Sequence, residues 1–317
     1  MEVFMEKTMT RQPQKKSLAS RFKKQIGYQL LVWPAIVFTF IFSYIPMAGI
    51  IIAFKNYKIS VGIWESAWVG LENFKNLFND FFMGQIILNT VVISVLGILV
   101  SYPVVMIFTL LLNEVTNTAF KRVIQTISYL PHFISWTIMA VILTAMLSAH
   151  DGIINEAMLA LGIIDSPINY MTDPDLYWGM VTIASVWKEL GWSAIVYLAV
   201  ISGIDMSLYE AAKIDGAGRL ARMWYITLPM LKGIIAIQLI LSFASMPSKG
   251  FDQAYFLANS VNMERARTLS YYVYNTGLVN ARFSYSTAIG LVLSLVSAGL
   301  LFSANTASKK LTGRGLY

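Results

Sequence analysis

Residues 81–113 read FFMGQIILNTVVISVLGILVSYPVVMIFTLLLN, and not one of them is charged. A helix needs about 20 mostly apolar residues to cross the roughly 30 Å hydrocarbon core of a bilayer. This run is well past that length. In lipid only helices and closed barrels satisfy their own backbone. A barrel strand would alternate apolar and polar residues over about 10 positions, and no such alternation is present. The stretch is therefore read as a membrane helix.

Five more stretches of the same kind lie on either side of it. They are 25–54, 123–149, 176–204 (interrupted only by Lys188 and Glu189), 230–249 (with Lys232 near one end) and 283–308. The expected fold is all-α and integral to the membrane, with six transmembrane helices. Pro34 and Pro46, Pro103, Pro131 and Pro247 lie inside four of these runs and are expected to kink them. Composition agrees. Of 317 residues, 56% are hydrophobic and 13% charged, against roughly 25% charged in an average soluble domain. A soluble surface could not be covered with so few polar groups. There is no cysteine and there are two histidines, which excludes a disulfide framework, a thiolate metal site and a histidine-rich metal centre.

Charge sets the orientation. Seven Lys/Arg precede residue 25, and the same side holds Lys121, Arg122, Lys213, Arg219, Arg222, Lys309, Lys310 and Arg314. The opposite loops hold seven: Lys55, Lys58, Lys75, Lys249, Arg265, Arg267 and Arg282. By the positive-inside rule both termini are expected in the cytoplasm. The basic tail, residues 1–27, then reads as a topology anchor, so no nucleic-acid partner is expected despite the net charge of +7. The expected organisation is this tail, a membrane domain over 28–308 and a cytoplasmic tail over 309–317. The outer segment 150–175 carries five acidic residues and no Lys or Arg.

The longest inner loop, 206–229, carries the most information. Met206 to Asp215 is a good helix former with paired alanines. Gly216 and Gly218 permit a sharp turn. A second short helix follows, and Pro229 is expected to start a new helix into the membrane. The product is an elbow whose small residues Ala211, Ala212 and Ala217 let another protein approach closely.

The spacing Glu210-Ala211-Ala212, three residues, Gly216, nine residues, Ile226-Thr227-Leu228-Pro229 resembles the EAA loop of ABC-importer permeases. Val69-Gly70-Leu71-Glu72-Asn73-Phe74 is similar to an outer-loop motif of the carbohydrate, maltose-type group. Asn89-Thr90, opening the second span, is similar to the same group, and Phe120-Lys121-Arg122 through Tyr129-Leu130-Pro131-His132-Phe133 resembles its LplB-type permeases, which are associated with oligosaccharide uptake. The resemblance covers residues 28 to about 317 and implies a type I ABC-importer permease fold in the bacterial cytoplasmic membrane. It also implies partners: a second homologous permease, two ATP-binding subunits that carry ATP and magnesium, and an external solute-binding protein that delivers an oligosaccharide. This chain has no G-x-x-x-x-G-K-[ST] phosphate loop and is expected to bind no cofactor and to be no enzyme. The coupling surface implied is Glu210, Ala211, Ala212, Asp215, Gly216, Ala217, Leu228 and Pro229.

A transport path needs polar groups inside the bilayer, and these are costly unless they face protein or water. On the fourth span Thr182, Ser185, Glu189 and Ser193 share a helical stripe, flanked by Lys188 and Trp192. On the fifth, Gln238, Ser242, Ser245 and Lys249 form another. Sugars also stack on aromatic rings, which adds Trp187, Trp192 and Tyr197 to the candidate path. The alternative is helix packing, in which such hydroxyls and amides merely hold helices together. His132 reads as a hydrogen-bonded packing residue. Two rival functions would leave different marks. A secondary transporter would need more spans and inverted repeats. A membrane enzyme would show H-E-x-x-H or G-x-S-x-G, and neither is present. An ABC permease for another small solute is the nearer alternative.

Overall fold

The computed structural model describes residues 25–313 and residue 315. The basic tail up to residue 24, and residues 314, 316 and 317, lie outside the described residues. The chain divides into two units, 1–51 and 52–317. In the first, helix α1 (Ile26–Thr39) runs on through a π turn at Phe40–Tyr44 and a further helical turn at Ile45–Met47.

Among the described residues five helical stretches are long and apolar enough to cross a membrane: Ile26–Phe54, Met83–Glu114, Pro174–Ser202, Arg219–Ala244 and Phe283–Lys310. The third expected span differs. Residues 123–149 do not form one straight helix. Instead α3 (Thr118–Tyr129) runs through a 3-10 turn at Leu130–Phe133, and α4 (Trp136–Leu147) leaves it at 104°. Three local features make the break. Pro131 lacks the N–H needed to continue the helix, Ile134 is extended, and Ser135 caps α4 by accepting the Ile138 N–H at 3.3 Å. With 12 residues, α4 is about 18 Å long, too short to cross alone.

Between these lie α2 (Met83–Glu114), α5 (Pro174–Ser202), α6 (Met206–Ile214), α7 (Leu228–Ala244) and α8 (Phe283–Thr312). Pro229 does not begin a separate helix, contrary to the sequence expectation. The helix is continuous from Arg219 to Ala244 because a π turn at Met223–Thr227 lets the Leu228 N–H reach the Met223 carbonyl. The widened turn makes room for the proline ring and re-registers the carbonyls around its missing donor. Pro46 is handled in the same way, with Ile45 N–H donating to Phe40 O across the π turn before it. The fifth span ends at Ala244, not Lys249, and Pro247 lies in a 3-10 turn beyond it. The last helix passes the expected boundary at 308 and continues to Thr312.

In the second unit α2 packs along α5, and α7 along α8. One buried cluster joins Leu77, Met83, Ile86 and Leu269 to Tyr285 and Ile289 of α8. A second sets Ile93 against Tyr177, Val181 and Leu257. A third sets Val105 against Ala194, Tyr197 and Leu231. Polar ties fix the segments outside the spans. Asn89, fully buried, donates to the carbonyls of Glu264 (2.7 Å) and Arg267 (2.9 Å). Thr90 accepts the Leu269 N–H at 2.9 Å. In the 69–74 motif, Gly70 takes a positive φ of 59° and Asn73 donates to the carbonyls of Ala53 and Lys55. That closes the small antiparallel pair Lys55–Asn56 with Ala67–Trp68.

Candidate functional site

Two regions carry the sequence-predicted residues. The first is the elbow. Asp205 caps α6 by accepting the Ser207 N–H at 2.9 Å, and that hydrogen bond holds its carboxyl below the ordinary aspartate value. At the other end the Gly216 N–H bonds the Lys213 carbonyl (3.1 Å) and the Ala217 N–H bonds the Ala212 carbonyl (2.8 Å). With Gly216 at φ +79°, this is a Schellman ending. The interval from Glu210-Ala211-Ala212 to Gly216 is therefore the interval from the last helical turn to its left-handed stop. Gly218 then opens the second arm at Arg219. Tyr209 Oη and Thr227 Oγ1, 3.0 Å apart, tie the two arms together.

Glu210, Ala211, Asp215, Gly216 and Pro229 are exposed; Ala212, Ala217 and Leu228 are half-buried. Ile214 and Leu220, on either side of the turn, are 86% and 77% exposed. Large apolar side chains this exposed at a helix turn suit a docking surface.

The second region is a cavity of about 690 Å³ between α2, α5, α7 and the segment following α7. Seven of the ten candidate path residues line it: Ser185, Glu189, Ser193, Tyr197, Gln238, Ser242 and Ser245. Its volume falls within the range of small-molecule sites, roughly 300–1,000 Å³. Its polar groups are already organised. Tyr102 Oη and Ser242 Oγ are 2.8 Å apart, and Gln253 donates to Ser185 Oγ at 3.2 Å. Tyr102 and Gln253 were not singled out from sequence. Tyr102 stands with Ser101 as a polar island in an otherwise apolar run, which is a readable signal. Gln253 is brought in by the turn after α7, which no local pattern indicates.

Trp187, Lys188 and Trp192 do not line the cavity. Trp187 and Trp192 are 46% and 44% exposed on other faces of α5. Lys188 is 7% exposed and turns to the bend between α3 and α4, where Nζ donates to the His132 carbonyl at 2.5 Å and lies 3.5 Å from that of Pro131. Glu189 sits between the cavity and the bend. It lines the cavity, and its Oε2 accepts from His132 Nδ1 at 2.8 Å, with Lys188 Nζ 3.8 Å from Oε1. The His132 ring stacks flat on Trp192, centroids 4.2 Å apart and planes 1° from parallel. His132 thus packs and bonds within the protein. Gly191 makes this close approach possible, since a Cβ there would strike the Ser128 carbonyl.

Comparison with known proteins extends these local likenesses over the chain. Residues 93–312 match the family described as the inner membrane component of binding-protein-dependent transport systems. Protein LplB of Bacillus subtilis (strain 168) is 40% identical over 303 residues, covering 95% of this chain and 94% of that protein. The polygalacturonan/rhamnogalacturonan transport system permease protein YteP of the same organism is 39% identical over 303 residues, covering 96% and 94%. A chain of a solved bacterial alginate ABC transporter, in complex with an alginate pentasaccharide-bound periplasmic protein, superposes with a TM-score of 0.86 at 32% identity, covering 94% of this chain and 99% of that one. With six apolar stretches, an elbow closed by a glycine cap and similarity along nearly its whole length, the chain belongs to the family of inner membrane components of binding-protein-dependent transport systems.

Proposed function

We propose that the chain is one of two permease subunits of an ATP-driven oligosaccharide importer. The observation that carries this is the cavity. Three largely apolar helices turn serines, a glutamine, a glutamate and tyrosines onto one shared space, and polar groups within the bilayer are costly unless they face protein or water, which a passage for a polar solute supplies. Hydroxyl and amide groups beside the rings of Tyr102 and Tyr197 are the chemistry that binds sugars. The names of YteP and of the alginate transporter, both saccharide systems, support the same substrate class. A second, homologous permease would complete the path across the open side of the cavity.

In this reading both termini and the elbow are cytoplasmic. The exposed face around Glu210, Ala211, Ala212, Asp215, Gly216 and Ala217, with Leu228 and Pro229 at its base, seats in a groove on one ATP-binding subunit. ATP and magnesium are held by those partners, and hydrolysis occurs there. An external binding protein delivers the sugar to the opposite mouth. The test is reconstitution of the chain with its second permease, ATP-binding subunits and binding protein in proteoliposomes. Uptake of labelled oligosaccharide should require both ATP and the binding protein. Uptake driven by an ion gradient without ATP, or no saccharide uptake at all, would overturn the reading.

A further inference from the structure

The cavity has an unbalanced charge. Of the residues lining it only Glu189 and Lys249 carry one. Glu189 is committed, its oxygens facing His132 at 2.8 Å and Lys188 at 3.8 Å. Lys249 makes no ion pair among the described residues. Its backbone is held in place: Ser270 Oγ donates to the Lys249 carbonyl at 3.3 Å. The next residue, Gly250, adopts φ +83° with Thr268 pressed where a side chain would be. The chain therefore spends a required glycine on a turn that leaves an ammonium half-buried and, among the described residues, without an anion.

We infer that Lys249 is a specificity-determining residue of the path and selects saccharides that carry carboxylates, that is, oligosaccharides of uronic acids. A partly desolvated cation is costly until an anion meets it. A neutral sugar passing the cavity would leave that cost in place, whereas a uronate would offset it with a charge-assisted hydrogen bond. One ammonium matches one monovalent carboxylate per sugar; a phosphate dianion would call for several donors. Gln253, Gln238 and Ser245, on the same wall, supply partners for the ring hydroxyls.

This inference rests on the proposed function, and the experiment separates the two. The complete importer in proteoliposomes is offered trigalacturonate and, separately, the neutral trisaccharide mannotriose. Wild type should take up trigalacturonate. Lys249→Gln should lower that uptake about tenfold, the loss of one hydrogen bond to a charged group, while Lys249→Arg should stay within about twofold of wild type. Since Nζ holds no anion among the described residues, the substitutions break no ion pair there, and ATP hydrolysis stimulated by the loaded binding protein checks assembly. Undiminished trigalacturonate uptake by Lys249→Gln would overturn the inference. So would equal losses in the Gln and Arg variants, or wild-type uptake of mannotriose alone; in each of these cases the importer function stands. Uptake of neither sugar would overturn both.

Discussion

The ammonium of Lys188 donates a 2.5 Å hydrogen bond to the main-chain carbonyl of His132, joining the middle of α5 to the point where the third apolar stretch breaks. A break of that kind leaves carbonyls without helical partners, in a region where water is scarce. A lysine that read as a path residue is thus a capping residue for the bend. Lys188→Met should leave the His132 carbonyl unmet, while that of Pro131 keeps the Ile134 N–H at 3.2 Å, and should free Glu189 from one of its partners. A loss of about 2–4 kcal/mol is expected, seen as a lower unfolding temperature of the detergent-solubilised complex. An unchanged transition would mean the bend is held by other contacts.

Gly216 carries a positive φ that an L side chain adopts at a cost of roughly 1–2 kcal/mol, yet nothing lies within 4 Å of where its Cβ would be. Strain and crowding are therefore separable here. Asn, which tolerates the left-handed region, should be nearly neutral at 216. Ala should weaken co-purification of the ATP-binding subunits, and Val should abolish it, with the membrane domain still folded. A Val variant that retained full ATPase association and uptake would remove the elbow from the coupling surface.

Asn89 joins the second span to the 263–269 segment through two carbonyls, and its own side-chain oxygen accepts from Gln85 at 3.0 Å. Asn89→Ala deletes all three contacts and orphans two carbonyls in a buried site. About 2–4 kcal/mol should be lost. Hydrogen exchange should show faster opening of 263–269 than of α8; uniform protection would contradict it.

Asp80 is met by Tyr272 Oη at 2.5 Å and Tyr285 Oη at 2.7 Å. Burial alone would raise its pKa, but these two bonds, the Phe82 N–H and the Arg282 charge outweigh it and hold the carboxyl below its ordinary value. A depressed folded pKa gives stability that is full above the unfolded value, near 4, and is lost as pH falls through the folded value. Local protection around 269–285 should therefore fall on acidification below about pH 4. In Asp80→Asn it should be low at neutral pH and nearly flat across that range. Equal pH profiles for the two proteins would sink this assignment.

The first arm of the elbow and its turn were legible because what makes them is local, whereas the second arm, which runs on through Pro229, was not. A helix former ended by a left-handed glycine needs only the bonds Gly216–Lys213 and Ala217–Ala212. The cavity was legible in part. Polar residues spaced three and four apart, Ser185, Glu189 and Ser193 on α5 and Gln238, Ser242 and Ser245 on α7 and just past its end, predict a shared face, and these six do line one cavity. Periodicity fixes the angle between neighbours but not which neighbour faces which helix. Lys188 and Glu189 lie about 100° apart on α5, so one could face the cavity only if the other turned toward the bend.

The same distinction holds for the whole chain. Sequence alone determined the membrane class and the position of nearly every span, because transfer of an apolar, charge-free run into lipid is summed residue by residue and needs no partner. The 104° angle of the third span's bend, the uninterrupted passage through Pro229, and the turn that delivers Gln253 to the cavity were decided only in three dimensions. Each depends on a carbonyl finding a donor from a distant helix, or on a π turn absorbing a proline, and neither leaves a periodic trace in the chain.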